Sequence, residues 1–280
     1  MSEWVLLRTS DELNKKVQEV KRKCTKRVLS NYFLSDKELN DEIASTEIFY
    51  REEDENLTII KRWDDFYQMY YFIGNLDVYT PDLPVSVNYG TLVCELIEKE
   101  NREKQEGVVK KLSSFGLDYY KKYFLWEYKN EEVVVADDKR LIFNEKSEYS
   151  ILTEIYKIFD HYSDRLPMLR DFERFCDGMG KLFCWDGDEY VGAVIYSVNK
   201  NVATEELIYV TESARGKGYA KVLQNKFISH CIHVLNMKRI YAWIETNNTK
   251  SVALHRSSGF LRTDQYKLTL KREHSECKEV

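Results

Sequence analysis

The chain has 280 residues, 43% of them hydrophobic, and a formal net charge of −5. That is long enough for one large domain or two ordinary ones and apolar enough for real cores, which excludes a globally disordered chain. The acidic balance argues against a nucleic-acid binder, which ordinarily carries a basic excess or stripe, and no apolar run approaches the ~20 residues of a membrane span.

The N-terminus, "MSEWVLLRTSDEL", has neither a basic opening nor a long apolar stretch, so it does not read as a secretory signal. Residues 11–29 predict a helix with Leu13, Val17, Val20 and Cys24 on one side. Ser35 in "SDKEL" predicts a cap for a second helix. Strand-like runs follow in "EIFYREE", "LTIIKRW" and "FYQMYYFI", then a loop at "YTPDLPVS". "GTLVCELI" predicts a strand, "EKENREKQEGVVKKLSS" a charged helix, and "LDYYKKYFLWEYK" a long aromatic strand. The 20 tyrosines, many in such runs, are expected to pack sheets.

A second part begins near residue 131. "EVVVA" and "RLIFN" predict short strands, Tyr149 to His161 a helix, and "MLRDFERFCDG" another. "KLFCWDGDEYVGAVIYSV" reads as a hairpin turning at Asp186 and Gly187. "TEELIYV" is the next strand; "RIYAWIE", "SVALHRSS" and "QYKLTLK" predict strand, helix and last strand. Residues 92–129 and 239–272 repeat the order strand, helix, "SSFGL" or "SSGFL", strand, which predicts two copies of one α/β unit.

The six cysteines include no C-x-x-C pair, and His230 and His233 stand three apart without a carboxylate or cysteine set, so no metal site is expected. Free thiols point to a reducing compartment, the cytoplasm.

Between "TEELIYV" and an amphipathic helix stands "SARGKGYAKVLQ". Closely spaced glycines at a helix start let main-chain N–H groups face an anion, with Arg215 and Lys217 adding charge. A phosphate or pyrophosphate fits; a ligand-free helix start is the alternative. A G-x-x-x-x-G-K-[ST] loop is absent, and Lys221 stands where a dinucleotide fingerprint needs its third glycine.

"ARGKGYA" resembles the R/Q-x-x-G-x-G/A signature of the GCN5-related N-acetyltransferases, with Arg215, Gly218 and Ala220 at its defined positions. Val210 stands five residues before the arginine, as in that family, while Thr211 and Glu212 depart from its proline-containing turn. Downstream, Asn248, Ser251, Leu254, Gly259 and Phe260 fit N-x-x-[SA]-x-x-[LF]-Y-x-x-x-G-F, with His255 in place of the tyrosine.

The resemblance implies an α/β (α+β) fold of two tandem domains. Each would be a mixed, mostly antiparallel sheet flanked by helices, with a splayed parallel strand pair in the C-terminal one. Residues 131–280 would be the acetyltransferase domain; residues 1–130, which lack the glycine turn, a degenerate copy that binds no donor. Acetyl-coenzyme A would be the acyl donor, its pantetheine along Leu207, Ile208, Tyr209 and Val210. The main chain of Arg215, Gly216, Lys217, Gly218, Tyr219 and Ala220 would hold the pyrophosphate, and Asn248 and Ser251 would also contact the donor. A primary amine, on a small molecule or on a peptide or protein, would attack the thioester directly in a ternary complex. His255 would be the acid for the leaving thiolate, and Glu205, Glu206 or Glu245 the base. The alternatives are a non-catalytic coenzyme A sensor or scaffold, or a transferase for longer acyl or aminoacyl groups.

Overall fold

The computed structural model describes residues 3–63, 65–81, 83–84, 87, 90–100, 105–129, 141–144 and 149–273. Two compact units emerge. Unit 1 takes in the chain to Lys121 and again from Lys267, and unit 2 is Lys122–Tyr266. The division falls inside two long strands, β7 (Asp118–Tyr128) and β13 (Phe260–Arg272). The sequence-based boundary at 130/131 and the expected strand "EVVVA" lie outside the described residues.

Unit 1 starts with β1 (Val5–Leu6), α1 (Ser10–Lys23), β2 (Leu29–Ser30) and α2 (Asp36–Ser45). Thr9 caps α1, whose first turn is acidic and last turn basic, in line with the helix dipole. Leu13, Val17 and Val20 are its buried stripe, each worth about 1.5–3 kcal/mol in apolar burial. The helix stops at Lys23, short of the expected residue 29, because Leu29 and Ser30 are drawn into sheet pairing. At α2 the full capping box forms: Glu38 N–H donates to Ser35 Oγ, and the Glu38 carboxylate accepts from Ser35 N–H.

Next come β3 (Ile48–Glu53), β4 (Asn56–Arg62), β5 (Phe66–Ile73), β6 (Thr91–Lys99) and α3 (Glu106–Ser113). Of the expected charged helix, Glu98 and Lys99 belong to β6 and Glu106–Ser113 is helical; residues 101–104 lie outside the described residues. The strand order is β1-β3-β4-β5-β6, then the C-terminal part of β13. Along β5, Met69, Tyr71 and Ile73 pack one core, with Leu92, Leu96, Val108 and Leu270, while Tyr70 and Phe72 pack the other, with α1. This is the period of two that a strand buried on both faces requires.

β5 and β6 are parallel only from Phe66↔Thr91 to Met69↔Cys94. Beyond that point they part, and the chain itself fills the opening. β2 pairs antiparallel with β5, Leu29↔Ile73 and Ser30↔Phe72. The buried Asn31 amide donates to Met69 O at 3.1 Å and Glu95 O at 2.9 Å, and its oxygen accepts from Tyr71 N–H at 2.8 Å. One side chain thus satisfies main-chain groups of both separated strands.

Unit 2 contains β8 (Leu141–Asn144), α4 (Tyr149–Tyr156), α5 (Leu169–Asp177), β9 (Gly180–Asp186), β10 (Glu189–Asn199) and β11 (Val202–Val210). It continues with α6 (Tyr219–Ser229), β12 (Arg239–Glu245) and α7 (Thr249–Ser257). The order is the N-terminal part of β13, then β7-β12-β11-β10-β9-β8. α4 and α5 bury Leu152, Ile155, Phe172 and Cys176 against Ala193, Ile195, Leu207 and Tyr209. Against the other face, α6 buries Leu223, Phe227 and Ile228 among Val194, Ala203, Ile240 and Ile244.

Each unit is thus a mixed, mostly antiparallel sheet with helices, as the sequence leads one to expect. The parallel pair in unit 1 is an addition to that expectation. α4 ends at Tyr156, five residues short of His161. After α6 the chain makes a π-helical turn, His230–Val234. β13 begins at Phe260, five residues before "QYKLTLK".

Candidate functional site

In unit 2, β11 and β12 run parallel only from Val202↔Arg239 to Glu205↔Ala242. From Glu206 onward, among the described residues, β11 keeps its partner on the β10 side alone. A bulge lies there: Leu207 pairs with Ile195 and Glu205 with Tyr196, leaving Glu206 as the extra residue. It switches faces along the strand. Ala203 packs on the α6 side, whereas Leu207 and Tyr209 pack with α4 and α5. Thr211 N–H donates to Val191 O at 3.0 Å, across to β10. Main-chain groups alternate along a strand, so those of Val210 and Ile208 point away from β10, into the opening.

The glycine turn stands at the end of this strand. A short 3₁₀ turn, Glu212–Ala214, leads to Arg215, whose Nε donates to Val210 O at 3.3 Å. Gly216 and Gly218 have φ of 78° and 88°, and Gly218 is the N-cap of α6. A Cβ on either would meet nothing within 4 Å, so it is the left-handed backbone that calls for glycine here. The turn aims the first N–H groups of α6 outward, an arrangement suited to an anion. Lys217 is exposed, and the Tyr219 hydroxyl donates to Asp186. Lys221 donates to the Ser257 carbonyl at the end of α7, and burial lowers its pKa.

At the apex, where β11 and β12 part, three buried side chains meet. Glu205 is 6% exposed, His255 1% and Gln224 0%. His255 Nε2 lies 3.0 Å from Glu205 Oε1, and Gln224 Nε2 donates to Glu205 Oε2 at 2.6 Å. His255 Nδ1 lies 2.8 Å from the Ser251 carbonyl oxygen. A carbonyl only accepts, so Nδ1 carries a proton. Burial pulls the His255 pKa down, but the Glu205 charge, its hydrogen bond and the Ser251 carbonyl outweigh that, and the net shift is upward. Beside them the Cys231 thiol is pushed up to about 12 by burial and the Glu205 charge.

Asn248, expected to contact a donor, is the N-cap of α7, its Oδ1 accepting from Ser251 N–H at 3.0 Å. That cap orders the turn whose Ser251 carbonyl holds His255. Glu206 is exposed and accepts from Ser197 Oγ at 2.5 Å. Glu245, last residue of β12, pairs with Tyr123 of β7. The Tyr123 pKa is raised by burial and by Asp164, with Glu245 contributing. The structure therefore brings Glu205 and His255 together and leaves Glu206 and Glu245 apart from them. Gln224 went unnoticed in the sequence; its signal was an amide in the buried stripe Leu223, Phe227, Ile228.

A splayed parallel pair with a glycine turn opening the following helix is the arrangement that the sequence motifs lead one to expect. Residues 146–260 match the acetyltransferase (GNAT) family. The fold is shared with a tandem GNAT protein from the clavulanic acid biosynthesis pathway (TM-score 0.63, 9% identity, covering 99% of this chain and 100% of that one). It is also shared with a GCN5-related N-acetyltransferase from Sphaerobacter thermophilus (TM-score 0.61, 9% identity, 88% of each chain). A mycothiol acetyltransferase of Geodermatophilus obscurus is 27% identical over 101 residues, 34% of this chain and 32% of that relative. The match thus spans about a third of that protein's length.

Proposed function

We propose that unit 2 transfers an acyl group, acetyl in the first instance, from coenzyme A to a primary amine. The observation that carries this reading is the open stretch of β11 leading into the turn at Gly216 and Gly218. Pantetheine would add along Leu207–Val210 as an extra strand does, and the pyrophosphate would rest on the N–H groups of residues 216–220, the Arg215 N–H already donating to Glu212 O at 3.3 Å. The Val210 N–H would polarise the thioester carbonyl.

The amine nitrogen bonds to the acyl carbon as the C–S bond breaks. One proton leaves the amine and one joins the thiolate. His255, at the apex, carries protons on both nitrogens when it pairs with the Glu205 carboxylate, and is our choice for the thiolate's proton. Glu205 serves as the counter-ion of that imidazolium, so Glu206 or Glu245, directly or through water, is left as the base. An open pocket of about 720 Å³ on the α4 side borders Tyr209 and Thr211 and is lined by Glu154, Glu189 and Glu212. Its charge would draw in a cationic acceptor.

The burial of His255 also favours a second reading, a coenzyme A-binding sensor. Incubation with acetyl-coenzyme A and an amine library, following free thiol, separates the two. Amine-dependent thiol release establishes the transferase; donor binding without release for any amine establishes the sensor.

A further inference from the structure

Gln224 is out of place on packing grounds. It is fully buried on α6, with Leu223, Phe227 and Ile228 buried around it. Among the described residues its Oε1 has no hydrogen-bond partner, an arrangement that costs free energy. An apolar side chain would fill this place at less cost. What the glutamine alone supplies is the N–H that donates to Glu205 Oε2.

That bond fixes the plane and rotamer of the carboxylate, because Oε1 then has one direction left, toward His255 Nε2. The groups facing this pair are few. Glu205 comes from β11, the protonated Cys231 thiol from the π-helical turn, Ser251 from α7 and the Phe260 ring from β13, its centroid 5.0 Å from that of His255. Glu205 is the one charged side chain among them. The protonation state of His255 is therefore set by how well Glu205 is held, and Gln224 does the holding.

We propose that Gln224 is a positioning residue: acting through Glu205, it keeps His255 an imidazolium at the apex of the splayed strands. The proposal rests on the transferase reading only for its kinetic consequence. The titration of His255 needs no substrate.

The test is Gln224→Met, which keeps the length and removes the N–H. In the folded variant the His255 ring, followed by NMR without ligands, is expected to titrate about one pH unit lower than in wild type. Donor affinity stays within about threefold, kcat falls about tenfold, and the alkaline limb of its pH profile moves down with the imidazole. A merely structural glutamine would alter stability and leave both titrations where they are; unmoved titrations overturn the proposal. If His255→Ala leaves kcat unchanged while Gln224→Met still lowers the imidazole titration, the acid role fails and the positioning role stands. Should Gln224→Met not fold, the wild-type side-chain amide protons of Gln224 decide. They must shift with the His255 titration, and their silence overturns the proposal.

Discussion

Units 1 and 2 solve one problem in opposite ways. In each, two parallel strands are bonded over four residues and then separate, after Met69 and Cys94 in one and after Glu205 and Ala242 in the other. The separation leaves unpaired main-chain groups facing an opening shaped like a strand. Unit 1 closes that opening from within, with β2 and the amide of Asn31. In unit 2 no described strand pairs along Leu207–Val210 on the β12 side, and the glycine turn stands at the far end. The difference teaches that a splayed pair is not itself a binding site. On the function proposed above, it becomes one when the chain withholds its own filler and supplies a place for the ligand's charge.

Removing the filler is expected to have the largest effect. Asn31→Leu deletes three hydrogen bonds to main-chain groups and leaves those of Met69, Tyr71 and Glu95 buried without them, a loss of about 4 kcal/mol in urea unfolding. Donor affinity should not change; a twofold or greater change would mean that the two openings are not independent. Next comes Gly218→Val, which forces a β-branched residue to φ near 88° and crowds the anion turn. We expect donor binding to weaken about a hundredfold, or about 2.7 kcal/mol, by calorimetry. The same titration on wild type should find one donor per chain. A second equivalent would show that Asn31 does not keep unit 1 shut.

Third, His255→Ala should lower kcat about tenfold with little effect on donor affinity, about 1.4 kcal/mol on the barrier. The smallest effect is on stability. The His255 pKa is raised in the folded chain, so its pairing with Glu205 contributes fully below the ordinary histidine value of ~6.5. The contribution fades as pH rises through the raised value. Unfolding curves of wild type and His255→Gln should therefore converge with rising pH; divergence would contradict the ion pair.

The glycine turn and the α7 motif were legible because their geometry is local: positive φ demands glycine, and Asn248 caps its own helix. The capping box of α2 and the hairpin at Gly187 were legible for the same reason. The apex was not, because Glu205, Gln224 and His255 come from three elements, and nothing about a glutamate in "TEELIYV" marks it as buried. The sequence ranked Glu205 with Glu206 and Glu245; the bulge sets it apart by turning Glu205 inward and leaving Glu206 exposed. Asn31 was equally invisible, since its three main-chain partners lie 38 to 64 residues away.

The division of the chain inside β7 and β13 bears on synthesis. Leu270 is fully buried in the core of unit 1 beside Leu92, Val108 and Leu112. A ribosome that has just released residue 130 has not yet made that side chain, nor Lys267, whose amine pairs with Glu95 at 3.1 Å. Unit 1 therefore cannot mature first and wait for unit 2, as an N-terminal domain ordinarily does during translation. Its core closes only when β13 arrives, so a stop codon in "QYKLTLK" would damage unit 1 as well as unit 2.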